Sequence, residues 1–111
     1  MWAVRYHPAA KAEEDVLPPS EQLAMTNVVM KLRTLGPILP FPHQSAVRGT
    51  NLRELRPRGG RSAWRALYRR VGDVFVIGAI SPEAQSDKRG FDKAVLLAAR
   101  RIDEPDSEEK S

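Results

Sequence analysis

The sequence predicts an α+β domain in which an N-terminal strand and two helices pack on a mostly antiparallel sheet, with a C-terminal helix closing the chain. Three observations carry this prediction. Apolar residues recur at helical spacing in two stretches, one before Gly36 and one after Gly90. Between them lie three strand-like runs divided by glycine-containing turns. The resulting order, β-α-α-β-β-β-α, keeps most strands in one meander, which fits layered α+β architecture and not alternating βαβ units.

Trp2–Tyr6 (WAVRY) is short, aromatic and branched, and His7-Pro8 follows it at once. It reads as a strand that hands over to a helix at Pro8, with His7 as a local cap. Ala9–Leu17 is a short helix candidate, broken by Pro18-Pro19. Ser20 can then cap a second helix to about Leu35, stopped by Gly36-Pro37. Its residues Met25, Val28, Val29, Leu32 and Leu35 form one apolar stripe. Prolines 37, 40 and 42 predict an irregular loop from Pro37 to Thr50. Strands are expected at Leu52–Arg56, Ala63–Arg70 and Asp73–Ser81, with turns at Gly59-Gly60 and Gly72-Asp73. The almost continuously apolar VFVIGAI marks the last as a strand covered on both faces. After a polar loop, EAQSDKRG, the residues Phe91, Ala94, Val95, Ala98 and Ile102 mark the buried face of a final helix.

A chain of 111 residues holds one core, so residues 1–102 are expected to form a single domain. The remainder, 103–111, is acidic and lacks periodicity, which predicts disorder. Formal net charge is +4, yet residues 1–102 alone carry 17 basic against 9 acidic groups. The folded part is therefore strongly basic. There is no cysteine, which excludes disulfides, thiolate nucleophiles and cysteine-based zinc sites. Two isolated histidines without acids at ligand spacing give no case for a metal site. No apolar run approaches the roughly 20 residues that span a bilayer, and no signal core follows the N-terminus, so the cytoplasm is the expected location.

Charge concentrates in one place. From Arg48 to Arg70 there are eight arginines and one acid, Glu54. Because these arginines alternate with apolar residues on expected strands, a rigid sheet presents them, as a surface for phosphates requires.

The segments LPFPH (39–43), NLRELRP (51–57) and WRALYRR (64–70), followed by an apolar strand, a polar loop carrying Lys88-Arg89 and a helix, form a recognisable order. It resembles the RelE/HigB superfamily of type II toxin–antitoxin toxins, in particular the phage-derived Gp49-like branch, from about Trp2 to Ile102. The resemblance implies a RelE-like fold and a ribosome-dependent endoribonuclease that enters the A site and cuts messenger RNA. It also implies neutralisation by a DNA-binding antitoxin of the helix-turn-helix kind, and no cofactor. Two positions depart from the pattern: Arg53 replaces an aromatic, and Phe91 replaces a tyrosine found in some relatives.

RNA is cleavable without a metal, because its own 2′-hydroxyl can attack the adjacent phosphorus. General acid–base help is worth about 10²–10⁴-fold, so fixed cations carry much of the rest. Arg65, the arginine of the Trp-Arg-x-x-Tyr strand, is the expected phosphate clamp, since its planar fork can hold two phosphate oxygens. Glu54 and Arg56 lie two apart on one strand and share a face. Glu54 is a candidate general base or the ion-pair partner that fixes Arg56, and the second role is favoured. Arg53, Arg58 and Arg61 are candidate RNA contacts, the last two flanking the Gly59-Gly60 turn. Lys88 is a further candidate for the proton transfers and Arg89 for RNA binding, because the resemblance turns their loop toward the substrate. His43 is a candidate shuttle or RNA contact, with packing favoured. Trp64 and Tyr68, four apart on a strand, are expected in the core.

Two other classes fit the same features. A ParE-type gyrase-inhibiting toxin would share the fold and need no clamp. A non-catalytic nucleic-acid-binding module would bind with steep salt dependence and cleave nothing.

Overall fold

A computed structural model describes residues 1–104. The elements are β1 (Ala3–Tyr6), α1 (Pro8–Asp15), α2 (Pro19–Leu35), β2 (Gln44–Ala46), β3 (Arg53–Leu55), β4 (Trp64–Val71), β5 (Val74–Pro82) and α3 (Lys88–Asp103). Single 3₁₀ turns occupy Gly36–Ile38 and Pro57–Gly60. The five strands form one sheet in the order β1-β5-β4-β3-β2, antiparallel except where β1 runs parallel to β5. This is the α+β architecture expected, with both helices of the N-terminal half on one face and α3 on the other.

Where one core was expected, the sheet divides the apolar interior into two clusters, one on each face. Met25, Val28, Val29 and Leu32 of α2 pack with Leu55, Ala66, Tyr68, Phe75 and Ile77. On the reverse, Phe91, Ala94 and Ala98 of α3 cover Leu67, Ala79, Val47 and Leu52. The division follows from strand alternation, with one interruption in β5. Leu67 pairs with Ala79 and Tyr68 with Ile77, so Gly78 is an extra residue in β5. A Cβ on Gly78 would lie 2.9 Å from the Ala98 carbonyl oxygen and 3.0 Å from its Cα. Glycine is therefore what lets α3 approach the sheet so closely.

Beyond the end of β1, the free edge of β5 is satisfied by side chains. The Ile80 amide donates to Glu13 Oε1 at 3.0 Å, and Arg101 Nη1 donates to the Gly78 carbonyl at 3.0 Å. Arg101 also grips Glu13 through both carboxylate oxygens, at 3.1 and 3.0 Å. This ion pair joins α1 to α3 around the sheet edge, and Glu13 also satisfies the Ile80 amide.

Several local expectations need correction. The segment Pro37–Thr50 is not wholly irregular, because its prolines end at Pro42 and leave the next amides free to pair as β2. Being an edge strand of three residues, β2 needs hydrogen bonds on one side only. The second helix starts at Pro19, with Pro18 as its N-cap and no side-chain cap, where Ser20 was expected to cap. Lys88 and Arg89 open α3, capped by Asp87, and do not lie in a preceding loop. The last turn of α3 includes Asp103, so the folded unit extends past Ile102, and the tail from Pro105 onward lies outside the described residues. His7 does cap α1, its Nδ1 accepting from the Ala9 amide at 3.0 Å.

Candidate nucleic-acid interface

Strand register splits the basic segment between the two faces of the sheet. Glu54 lies opposite Leu67, whereas its neighbour Arg53 lies opposite Tyr68 and projects the other way. The sequence-predicted residues therefore form separate groups.

The first group is a buried ion-pair frame. Arg65 is only 4% exposed. Its Nε donates to Glu54 Oε1 at 3.3 Å, and its Nη1 to the carbonyls of Ser62 and Trp64 at 2.7 and 2.9 Å. Its Nη2 reaches the Gly60 carbonyl at 3.2 Å and Glu83 Oε2 at 3.0 Å. Burial first, and then the nearby Arg56 charge, lower its pKa, while Glu54 and Glu83 raise it. Placed this way, Arg65 braces the Pro57–Gly60 turn and differs from an open phosphate clamp. Arg56 donates to Glu54 Oε1 at 3.1 Å and to the Pro42 carbonyl at 3.1 Å, and stacks over the exposed Phe41 ring at 5.2 Å. Gly60, at φ 95°, passes so close that a Cβ would lie 2.5 Å from Arg56 Nη2. Glu54 thus receives two guanidiniums on Oε1, while its Oε2 bonds to none of the described residues.

The second group surrounds the turn. Arg58 adopts φ 57°, a left-handed conformation uncommon for a non-glycine residue, and is held by Glu21 and by the Ser20 carbonyl. Ser62 donates to the other Glu21 oxygen at 2.6 Å. That bond first, and Arg58 second, hold the Glu21 carboxyl below the usual range. Arg61 is exposed, with its Nε on the Arg58 carbonyl at 3.0 Å. His43 and Arg58 line a hollow of about 270 Å³ with Asn27 and Lys31, and His43 Nδ1 is buried without a hydrogen-bond partner among the described residues. At the start of α3, Lys88 pairs with Asp92 at 2.6 Å and Arg89 stays exposed.

The third group was not anticipated as a unit. Arg53, Arg69 and Arg70 line a cleft of about 400 Å³ with Gln44, Asn51, Tyr68 and Phe75. Tyr68 is buried, as expected, and burial pushes its hydroxyl up to about 12 against an opposing effect of Arg53. Glu83, Ser62 and Glu21, the acceptors that organise the arginines, were also missed. The β4–β5 register places Ser81 opposite Arg65, and Glu83 lies two residues further along on the same side. Without that register nothing in the sequence connects the two.

A two-faced sheet bearing fixed guanidinium groups defines a small basic α+β domain. The chain belongs to the family described as phage derived protein Gp49-like (DUF891), whose profile matches residues 13–77, more than half of its length. Among solved structures it is similar to a chain of "Chromosomal ParDE TA system from P. aeruginosa", with a TM-score of 0.46 and 21% identity, covering 74% of this chain and 96% of that one. No curated protein matches it.

Proposed function

We propose that this protein is the toxin of a toxin–antitoxin pair and acts as a ribosome-dependent endoribonuclease that cleaves messenger RNA. One observation carries the catalytic reading: Glu54 is fixed through Oε1 by Arg56 and Arg65, and its Oε2 bonds to none of the described residues. A carboxylate so oriented is suited to take the proton from an RNA 2′-hydroxyl. The 2′-oxygen then bonds to phosphorus, the bond to the 5′-oxygen breaks, and that oxygen gains a proton. The products are a 2′,3′-cyclic phosphate and a 5′-hydroxyl, and no metal or cofactor takes part.

Arg65 serves here as a positioning residue, because its donors are engaged by protein acceptors. Its bond to Glu83 ties Glu54 to the segment leading into α3, where Lys88 is the proposed proton donor and Arg89 an RNA contact. Arg61 and Arg58 at the turn, Arg53 on the opposite face, and His43 complete the proposed RNA contacts. The partners are the ribosome, messenger RNA and an antitoxin whose acidic or apolar segment covers the basic face.

The test is induction in cells with mapping of new RNA 5′ ends. Wild type should arrest growth and give ribosome-dependent cuts with 5′-hydroxyl ends, and Glu54→Gln should reduce cleavage by about 10²-fold or more. Growth arrest with DNA damage and no cuts would instead establish the gyrase-inhibiting alternative. Binding without cuts or arrest would leave a non-catalytic module.

A further inference from the structure

We infer that the cleft beside Tyr68 binds a nucleotide unit, its phosphate held between Arg53 and Arg70 and its planar base laid on the apolar floor. This site stands apart from Glu54, because adjacent positions of β3 project to opposite faces of the sheet.

The charge of the cleft points to an anion. None of its lining residues carries a carboxylate. Arg69 is already engaged, by Asp103 at 2.6 Å and Asn51 at 3.4 Å. Among the described residues, Arg53 and Arg70 are oriented without being neutralised. Arg53 Nη1 donates to Gln44 Oε1 at 2.9 Å, and Gln44 Nε2 is anchored on the Leu39 carbonyl at 2.9 Å. Arg70 Nε donates to the Gly72 carbonyl at 2.8 Å, and its guanidinium sits over the Trp2 ring at 4.9 Å. Its nearest carboxylate, Asp73, is 3.9 Å away and 98% exposed, so water screens that pair. Two forks remain with N–H groups unpaired among the described residues, which is the geometry that recognises phosphate oxygens.

The shape points to a nucleotide in particular. The exposed Pro37 and the edges of the buried Leu39, Tyr68 and Phe75 form an apolar and aromatic floor, and about 400 Å³ is within the range of small-ligand pockets. Inorganic phosphate or a single peptide carboxylate would occupy the forks and leave the floor uncovered. The Tyr68 hydroxyl makes no hydrogen bond to another described residue, and it stays protonated at neutral pH, so it remains a donor for the ligand.

Titration calorimetry of the full chain tests the assignment with adenosine monophosphate, inorganic phosphate and a short oligoribonucleotide. The nucleotide should bind more tightly than phosphate. Arg53→Ala or Arg70→Ala should weaken it about tenfold or more, as loss of a charge-assisted hydrogen bond implies. Tyr68→Phe should weaken it by a smaller factor. Glu54→Gln should leave nucleotide affinity unchanged, which keeps this site distinguishable from the proposed catalytic one. An oligoribonucleotide whose affinity falls with Arg70→Ala as the monophosphate's does would make the ligand part of an RNA chain, and one unaffected by Arg70→Ala would make it a free nucleotide. The proposal is overturned if the nucleotide binds no better than phosphate, or if both arginine variants bind like wild type.

Discussion

Replacing Arg65 with alanine distinguishes an internal brace from an exposed clamp, and the structure sets the size of the effect. The side chain is 4% exposed and bonds to two carboxylates, Glu54 and Glu83, and three carbonyls. Removing one partner of a buried ion pair costs roughly 3–5 kcal/mol, because the other charge is left uncompensated. Side chains of Glu54 and Glu83 are 13% and 27% exposed, so water reaches both and the cost lies near the lower end. At about 4–8 °C per kcal/mol for a domain of this size, Tm should fall by about 12 °C or more. Thermal and urea unfolding followed by far-ultraviolet circular dichroism at neutral pH would measure it. Adding Glu83→Gln to Arg65→Ala should recover part of the loss, since Glu54 keeps Arg56 and Glu83 is then the carboxylate that no longer needs a partner. Arg65→Lys should fall between, keeping the charge without the planar fork. If Arg65→Ala melts within about 2 °C of wild type yet loses RNA binding, the arginine must reach outward and the bracing role is wrong.

Two further substitutions probe the frame around the site. Glu21 has a lowered folded-state pKa, so its stabilisation is complete above the unfolded value of 4.5 and is lost as pH falls through the folded one. The stability gap between wild type and Glu21→Gln should therefore be present at neutral pH and shrink in acid, and an unchanged gap in paired urea titrations would contradict the role of Ser62 and Arg58. Gly78→Ala places a Cβ 2.9 Å from the Ala98 carbonyl oxygen and should cost about 1–3 kcal/mol through overpacking. Denaturant midpoints would report it, and a neutral result would mean that α3 shifts freely on the sheet.

Elements with a strong period were legible in the chain. The stripe on α2 is buried at Met25, Val28, Val29 and Leu32, and departs from expectation only at Leu35, which is 38% exposed at the helix end. The strand β2 was hidden because three prolines dominate its surroundings, and a three-residue edge strand has too few positions to show alternation. Its existence depends on β3 being there to pair with, which is tertiary information. The bulge at Gly78 was hidden for a similar reason: VFVIGAI is apolar throughout, so its sequence does not reveal where the faces exchange.

For the candidate site, residue type predicted charge well and accessibility poorly. Glu54 and Arg56 meet as their two-residue spacing requires, at 3.1 Å. The sequence singled out Arg65 as the clamp and set Arg53, Arg58 and Arg61 as RNA contacts, but the fold divides the arginines from Arg48 to Arg70 differently. Arg65, Arg56 and Arg58 meet carboxylates from β3, from the end of β5 and from α2. Arg53 and Arg61 meet none among the described residues and so keep their charge for a ligand. The difference depends on which acids the register and the helices bring alongside, and those acids are as distant in sequence as Glu21 and Glu83. A guanidinium fully engaged inside the protein can orient a reacting group but cannot also grip a phosphate unless its bonds exchange. Under the proposed function, catalysis at Glu54 and capture of RNA therefore draw on different arginines of one segment, which follows from strand alternation at Arg53 and Glu54.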